Sequence, residues 1–249
     1  MRLFGLTGNP LGHSYSGEYF TRKFSDERIA GCRYELFPVN EAAQIRKIAE
    51  DRAELEGLNV TLPFKKPVIP YLDDLDEAAK KIGAVNCIRI SRRKEGIQLK
   101  GYNTDAPAFR DSLLPLLDAR YNRALILGTG GSAQAVQYAL GQLNIGFRLV
   151  SRNPGSDRLA YGQLDKAILG DYLLIINTTP LGMYPDTDSC PSIPYSSLTD
   201  RHLLYDVVYN PEMTLFLRNG LQQGASVKNG LDMLRRQAEL SWEIWNEHA

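Results

Sequence analysis

Short apolar runs alternate with amphipathic stretches along the whole chain of 249 residues. In the first half, the strand-like runs are LFGLTG, RYELFPV and LEGLNVTL. Between them, apolar residues at helical spacing predict helices over residues 17–27 and 41–52. This alternation is typical of βαβ units around a mostly parallel sheet, so the pattern predicts an α/β protein.

The first half closes with a predicted hairpin, in which the runs AVNCIRIS and GIQLKGYN are separated by the polar RRKEG. A helix over residues 106–117 follows, because apolar residues recur there at helical spacing. We place the domain boundary before this helix, so that residues 1–103 form the first domain and residues 104–230 the second.

The second half begins with RALILGTGG, an apolar strand that ends in a cluster of glycines and precedes a helical segment. The runs DYLLIINTTP and HLLYDVVYN are nearly continuous apolar strands, as expected of a sheet covered on both faces. Residues 184–199, rich in Pro, Ser and Asp, predict a loop. The last helical pattern covers residues 229–246, and we expect residues 231–249 to pack back on the first domain.

Composition narrows the classes of function. The 29 basic and 29 acidic residues cancel, which argues against a nucleic-acid partner. Three widely spaced cysteines predict neither a disulfide framework nor a zinc site. Three scattered histidines favour no metal centre, and neither a GxSxG nor a P-loop motif is present. Without a signal-peptide pattern or a long apolar window, we expect a cytoplasmic protein with no membrane partner.

The strongest local motif is the glycine turn Gly128-Thr129-Gly130-Gly131-Ser132, at which a strand ends and a helix begins. Glycines allow a pyrophosphate to approach the backbone, and a helix N-terminus offers free N–H groups and a positive dipole. The spacing is GxGGxxxA rather than GxGxxG, and a tight strand-to-helix connection would look the same. The turn alone therefore leaves dinucleotide binding open.

The next strand ends in Ser151-Arg152-Asn153, roughly 20 residues beyond the glycines. NAD sites place an Asp or Glu there for the ribose hydroxyls, whereas a guanidinium can pair with the 2′-phosphate of NADP. Arg152, with Ser151 and Asn153 as further donors, therefore favours NADP. The alternative is a solvated arginine at the end of a strand.

In the first half, a proline ends the strand LEGLNVTL, so Asn59, Thr61 and Lys65 are expected at its carboxyl end, where open α/β sheets bind ligands. The segments GAVNCI and GYNTDAPAF add Asn86 and Asp105 at other segment ends. A lysine and an aspartate close together could transfer a proton to an alcohol or ketone oxygen. The alternatives are a solvated Lys65 and an Asp105 that caps the following helix.

Two serines lie just ahead of the first predicted helix. Ser14 and Ser16 flank Tyr15, so in an extended segment both hydroxyls face the same way. They could bind a ligand or cap the helix, and the pattern by itself does not separate these roles.

Taken together, these segments resemble the shikimate dehydrogenase family over nearly the whole chain. The motifs that carry the resemblance are, in order, GNPLGHSYS, NVTLPFK, GAVNCI, GYNTDAPAF, GTGGS, SRN, NTTPLGM, DVVYNP and NGLDMLRRQA. The resemblance implies two α/β domains with a cleft between them. The first would bind and convert the substrate, and the second would be a Rossmann-like, doubly wound parallel sheet that binds NADP.

The activity implied by the resemblance is the NADPH-dependent reduction of 3-dehydroshikimate to shikimate, a step of aromatic amino-acid biosynthesis. Lys65 and Asp105 would be the catalytic residues, with no metal, in a monomer or a homodimer. The implied substrate-binding residues are Ser14, Ser16, Thr61, Asn86, Tyr209 and Gln237. The implied cofactor-binding residues are Gly128, Thr129, Gly130, Gly131, Ser132, Ser151, Arg152, Asn153, Val207 and Gly230.

The chain departs from the family pattern without losing a proposed catalytic side chain. Gly17, Cys87, Ala108, Ser151 and Asn153 stand where Pro, Thr, Gly, Asn and Thr are usual. The rival functions are an NAD-linked quinate/shikimate dehydrogenase, a non-catalytic dinucleotide-binding module and a one-carbon folate dehydrogenase. Arg152 argues against the first rival, the Lys65 and Asp105 pair against the second, and the serine pair against the third.

Overall fold

The computed structural model describes residues 1–11, 15–94, 96–153 and 155–247. The chain separates into two compact units, unit 1 (Met1–Thr104 with Gln237–Ala249) and unit 2 (Asp105–Arg236). The first cut falls one residue after the boundary placed from the sequence, whereas the second, after Arg236, falls six residues beyond the predicted end of the second domain at residue 230. Among the helices of the described ranges, none is long and apolar enough to span a membrane.

Unit 1 is built on a six-stranded sheet. Its strands are β1 (Arg2–Gly8), β2 (Cys32–Pro38), β3 (Leu55–Val60), β4 (Asp74–Leu75), β5 (Cys87–Arg93) and β6 (Gly96–Tyr102), and its helices are α1 (Tyr15–Asp26), α2 (Ala43–Asp51) and α3 (Glu77–Ile82). The strand order is β2-β1-β3-β5-β6-β4. Strands β1, β2 and β3 are parallel, whereas β5 is antiparallel to both β3 and β6. The predicted hairpin is therefore confirmed, and it makes this sheet more mixed than expected.

Different helices cover the two faces of this sheet, because successive residues of a strand point to opposite sides. Leu3 of β1 packs in the cluster that includes Ile45 of α2. The next residue, Phe4, packs in the cluster that includes Phe20 of α1. Phe4 also stacks on Trp245, with ring centroids 4.9 Å apart, in the last helix α8 (Leu231–Asn246). The carboxyl-terminal part of α8 thus completes the core of unit 1.

Unit 2 is a doubly wound parallel sheet. Its strands are β7 (Arg123–Leu127), β8 (Gly146–Ser151), β9 (Arg158–Ala160), β10 (Leu174–Asn177), β11 (Leu203–Asp206) and β12 (Ser226–Lys228), and its helices are α4 (Asp105–Leu113), α5 (Gly131–Gln142), α6 (Lys166–Asp171) and α7 (Leu215–Gln222). The order is β9-β8-β7-β10-β11-β12, and every neighbouring pair is parallel. The direction of winding reverses between β7 and β10, so the predicted Rossmann-like sheet is confirmed.

One predicted helix is too long. The α-helix expected over residues 106–117 begins at Asp105 and ends at Leu113, and a 3₁₀ turn follows over Leu114–Leu116. The proline at position 115 explains the change, because a proline lacks the N–H that an α-helix needs and its ring clashes with the preceding turn.

Candidate active site

The glycine turn lies at the point where the sheet of unit 2 reverses direction. Gly128, directly after β7, has a φ of +110°, a conformation that favours glycine. A Cβ built on it would lie 2.8 Å from Oγ1 of Thr178, the residue after β10. Thr178 donates from its N and its Oγ1 to the carbonyl of Leu127, at 2.9 and 2.7 Å. The turn is thereby fixed at the edge where doubly wound sheets bind their ligands.

Helix α5 begins at this turn with an open N-terminus. Its N-cap is Gly130, which has a φ of −78° and no side chain to cap the helix. The first turn, all of it described, contains no acidic residue. Gly130 is exposed, and a Cβ built on it would meet no atom within 4 Å. Because the first N–H groups of a helix have no intrahelical acceptor, this space fits a pyrophosphate.

Arg152 follows the neighbouring strand β8, at the same edge of the sheet. The two strands pair with Leu127 opposite Val150, and the N of Gly128 donates to the carbonyl of Val150 at 2.9 Å. Arg152 is exposed and makes no ion pair with another described residue. The N of Asn153 donates to Oγ of Ser151 at 3.2 Å, which gives this segment a turn. The structure thus gathers the glycines and an available guanidinium at one edge.

Val207 and Gly230 are in direct contact. Val207 follows β11, and its N donates to the carbonyl of Asn177 at 3.0 Å. The N of Gly230 donates to the carbonyl of Val208 at 3.1 Å. A Cβ on Gly230 would lie 2.2 Å from the carbonyl oxygen of Val207, so only glycine fits this approach. Val207 and Gly230 are more than twenty positions apart in the sequence, yet they lie in contact. The family resemblance implies that both bind the cofactor.

A buried carboxyl group supports these loops and was not found by sequence analysis. Asp206 ends β11 opposite Asn177, the last residue of β10. Its Oδ1 accepts from Nδ2 of Asn177 and the N of Val208, each at 3.0 Å, and its Oδ2 accepts from Oγ1 of Thr214 at 2.6 Å. Burial nevertheless raises the pKa of Asp206 to about 7, because it outweighs the opposing effect of these three donors. The sequence offered one sign of this group, an acidic residue directly after a buried apolar run.

The predicted catalytic residues lie in different units. Lys65 belongs to unit 1 and is half-buried, whereas Asp105 is the first residue of α4 in unit 2 and is buried. Tyr209, also in unit 2, is half-buried after β11. The pairing of Lys65 with Asp105 therefore stays a prediction.

Three chain segments of unit 1 meet beside β3. The N of Val60 donates to the carbonyl of Asn86 at 2.9 Å, and the carbonyl of Lys65 accepts from the N of Val85 at 2.7 Å. The side chain of Asn86 donates to Oγ1 of Thr104 at 2.8 Å and accepts from its N at 2.6 Å. The segments that carry Thr61, Lys65 and Asn86 are thereby brought together at the carboxyl end of β3, and the binding of substrate by these side chains stays a prediction.

A second buried network of unit 1 was also missed from the sequence. The phenol of Tyr34 donates to Oδ1 of Asn59 at 2.9 Å, and Nδ2 of Asn59 donates to Oγ of Ser241 at 2.8 Å. Ser241 in turn donates to the carbonyl of Gln237 at 2.9 Å, and Tyr34 also bonds the side chain of Ser16. Burial raises the pKa of Tyr34 well above its ordinary value, so the phenol stays a donor.

This network therefore joins two predicted substrate-binding residues, Ser16 and Gln237, through residues far apart in the sequence. Ser16 and Gln237 are both buried. Ser14, another of the predicted substrate-binding residues, lies outside the described residues.

The parallel sheet with its glycine turn, open helix and available arginine defines a dinucleotide-binding unit. Joined to a second α/β unit with a polar, lysine-bearing edge, it has the layout of a two-domain nicotinamide-dependent oxidoreductase. The family model of the shikimate dehydrogenase substrate binding domain matches residues 6–88. The NADP(+) shikimate dehydrogenase of Clostridium beijerinckii is 36% identical over 259 residues, covering 99% of this chain and 93% of that protein. The chain belongs to the shikimate dehydrogenase family.

Solved structures show the same similarity. Shikimate 5-dehydrogenase from Thermus thermophilus, in complex with NADP(H) and shikimate, is 28% identical with a TM-score of 0.85, covering 100% of this chain and 94% of that one. Shikimate 5-dehydrogenase from Listeria monocytogenes, in complex with shikimate and NAD, is 26% identical with a TM-score of 0.81, covering 100% and 92%. The predicted two-unit α/β fold is confirmed by these similarities.

Proposed function

We propose that this chain catalyses the NADPH-dependent reduction of 3-dehydroshikimate to shikimate, in aromatic amino-acid biosynthesis. One observation carries the proposal: at the carboxyl ends of the parallel strands of unit 2, an open helix N-terminus and an available arginine flank one glycine turn. The family membership supplies the substrate, because relatives over the full length are named for shikimate.

The residues of unit 2 fit NADP. The N–H groups from Gly128 to Ser132 would bind the pyrophosphate, and Arg152, with Ser151 and Asn153, would pair with the 2′-phosphate. Val207 and Gly230 would contact the nicotinamide. When bound, NADPH supplies the hydride that reduces the ketone carbon.

The residues of unit 1 would bind and protonate the substrate. Ser14 and Ser16, with Tyr209 of unit 2, would hold the carboxylate, while Thr61, Asn86 and Gln237 would bind the ring oxygens. Lys65 would donate a proton to the ketone oxygen as the carbon gains its hydride, so that the ketone becomes an alcohol. The carboxyl of Asp105 would accept a hydrogen bond from the Lys65 ammonium and orient it toward that oxygen.

The cytoplasm is the compartment that we propose. The three cysteines, at positions 32, 87 and 190, are widely spaced and predict no disulfide framework, as expected of a protein in a reducing compartment.

The experiment that tests the catalytic assignment is the substitution Lys65→Ala, with Lys66→Ala as its matched control. Lys66 is the adjacent, exposed lysine. We expect Lys65→Ala to lower kcat by about 10²–10⁴, the usual contribution of general acid–base catalysis, with unchanged NADPH affinity and Tm. The control should keep the wild-type kcat. A Lys65→Ala enzyme that retained most of its kcat would refute the assignment, and a change in KM alone would make Lys65 a binding residue.

A further inference from the structure

Three buried polar side chains are hydrogen-bonded to one another at the carboxyl ends of the strands of unit 2. The proposed function assigns no role to any of the three. Asn177, Asp206 and Thr214 are each fully buried. They come from three separate elements: the end of β10, the end of β11 and the N-cap of α7. Asp206 is the member that bonds to both of the others.

The cluster shapes the loop after β10. Oδ1 of Asn177 accepts from the N of Thr179 at 3.0 Å and from its Oγ1 at 2.7 Å. The Oγ1 of Thr179 in turn accepts from the N of Leu181 at 3.3 Å. Since Nδ2 of Asn177 donates to Asp206, the carboxyl group fixes the orientation of the amide that organises residues 177–181.

The same carboxyl group shapes the loop after β11. By accepting from the N of Val208, it closes a turn around Val207. The carbonyl of Val208 then accepts from the N of Gly230, and Gly230 packs against the Val207 carbonyl. The bond to Thr214, which also accepts from the N of Leu217, ties this turn to the start of α7.

We propose that Asp206 is a positioning residue for the nicotinamide end of the cofactor, holding Val207 and the loop of residues 177–181 in the geometry that binding and hydride transfer require. This inference rests on the proposed function, since that function places the nicotinamide beside Val207 and Gly230. Asp206 acts through its neighbours, without touching substrate or cofactor.

Stability alone does not account for a carboxyl group at this position. Its raised pKa means that burial disfavours its charged form by more than the three hydrogen bonds favour it. A buried ionic group often gives a fold no more stability than well-packed apolar side chains of similar volume do. Its benefit therefore lies in the fixed orientation of the groups that bond to it.

The test compares four variants by the Kd for NADPH, kcat and Tm. Asp206→Ala removes all three acceptor contacts, Asp206→Asn keeps an oxygen for Asn177 and Val208, and Thr214→Val removes a single hydroxyl. Tyr205→Phe is the control, because Tyr205 is fully buried, directly precedes Asp206 and bonds Oγ of Ser112 at 2.6 Å, away from the cluster.

We expect Asp206→Ala to raise the Kd for NADPH at least tenfold and to lower kcat by about 10², since a displacement of about 1 Å at a reacting group can have that effect. The Kd for NADPH and the kcat of Asp206→Asn should both lie within about fivefold of the wild-type values. Thr214→Val should weaken NADPH binding severalfold. Tyr205→Phe should lower Tm and leave the Kd for NADPH and kcat unchanged.

If the Asp206 and Thr214 variants lose Tm but keep the wild-type Kd and kcat, the positioning role is overturned. Should Asp206→Ala fail to fold, Thr214→Val decides the matter by the same criterion. The proposed function fails separately, if the wild type binds NADPH but shows no shikimate-dependent turnover, and the Kd comparison still tests the role of Asp206.

Discussion

Gly130 offers a substitution that separates cofactor binding from folding. Its φ of −78° suits alanine, and the added Cβ would meet no protein atom within 4 Å. In Gly130→Ala we therefore expect the free energy of unfolding to change by less than about 1 kcal/mol, the scale of N-cap preferences. The methyl group would instead occupy the space through which a pyrophosphate reaches the N-terminus of α5.

The expected loss follows from the hydrogen bonds between the backbone and the phosphate. One hydrogen bond to a charged group contributes about 1.5–3 kcal/mol, so losing one raises the Kd for NADPH by about 10- to 150-fold. Gly141→Ala is the matched control, because Gly141 lies near the other end of α5 and its Cβ would also meet nothing within 4 Å. Fluorescence titration with NADPH measures the Kd, and unfolding in urea measures the free energy of unfolding. Wild-type NADPH affinity in Gly130→Ala would show that the cofactor does not bind at this turn.

Two further predictions concern unit 2. Arg152→Ala should lower kcat/KM for NADP at least tenfold while leaving that for NAD nearly unchanged, because only NADP carries the 2′-phosphate; equal losses for both cofactors would contradict the assignment. In the folded protein, the pKa of Asp206 is raised to about 7 from an ordinary 3.8. Its contribution to the free energy of unfolding is therefore fully present below about pH 4 and is lost as the pH rises through 7, a loss of at most about 4 kcal/mol. Between pH 5 and 8, the free energy of unfolding measured with urea should therefore decline with pH more steeply in the wild type than in Asp206→Asn. The same pH dependence in both proteins would refute the raised pKa of Asp206.

The sheet of unit 2 could be predicted because its information is local. Residues 124–127 form a buried apolar run that leads directly into the glycine turn, and the later runs give strands that are buried on both faces. The sequence predicts too long a helix α4, because apolar residues continue at helical spacing through Leu114 and Leu117, whereas Pro115 ends the α-helix before them.

The buried networks could not be predicted, because they join residues that only the folded chain brings together. Tyr34 and Asn59 are 25 positions apart, and Asn59 and Ser241 are 182 apart. Asp206 and Asn177 are closer to being predictable, since both directly follow buried apolar runs in adjacent parallel strands. The sequence pattern gives neither the register of those strands nor the position of Thr214 on the next helix.

The most direct test of the account measures absorbance at 340 nm with shikimate or quinate as substrate and NADP or NAD as cofactor. An NADP-linked shikimate dehydrogenase should form NADPH only when shikimate is added, and its kcat/KM for shikimate with NADP should exceed that of every other combination of substrate and cofactor. Intact NADPH binding with no change in absorbance on adding shikimate would contradict it and favour a non-catalytic dinucleotide-binding protein.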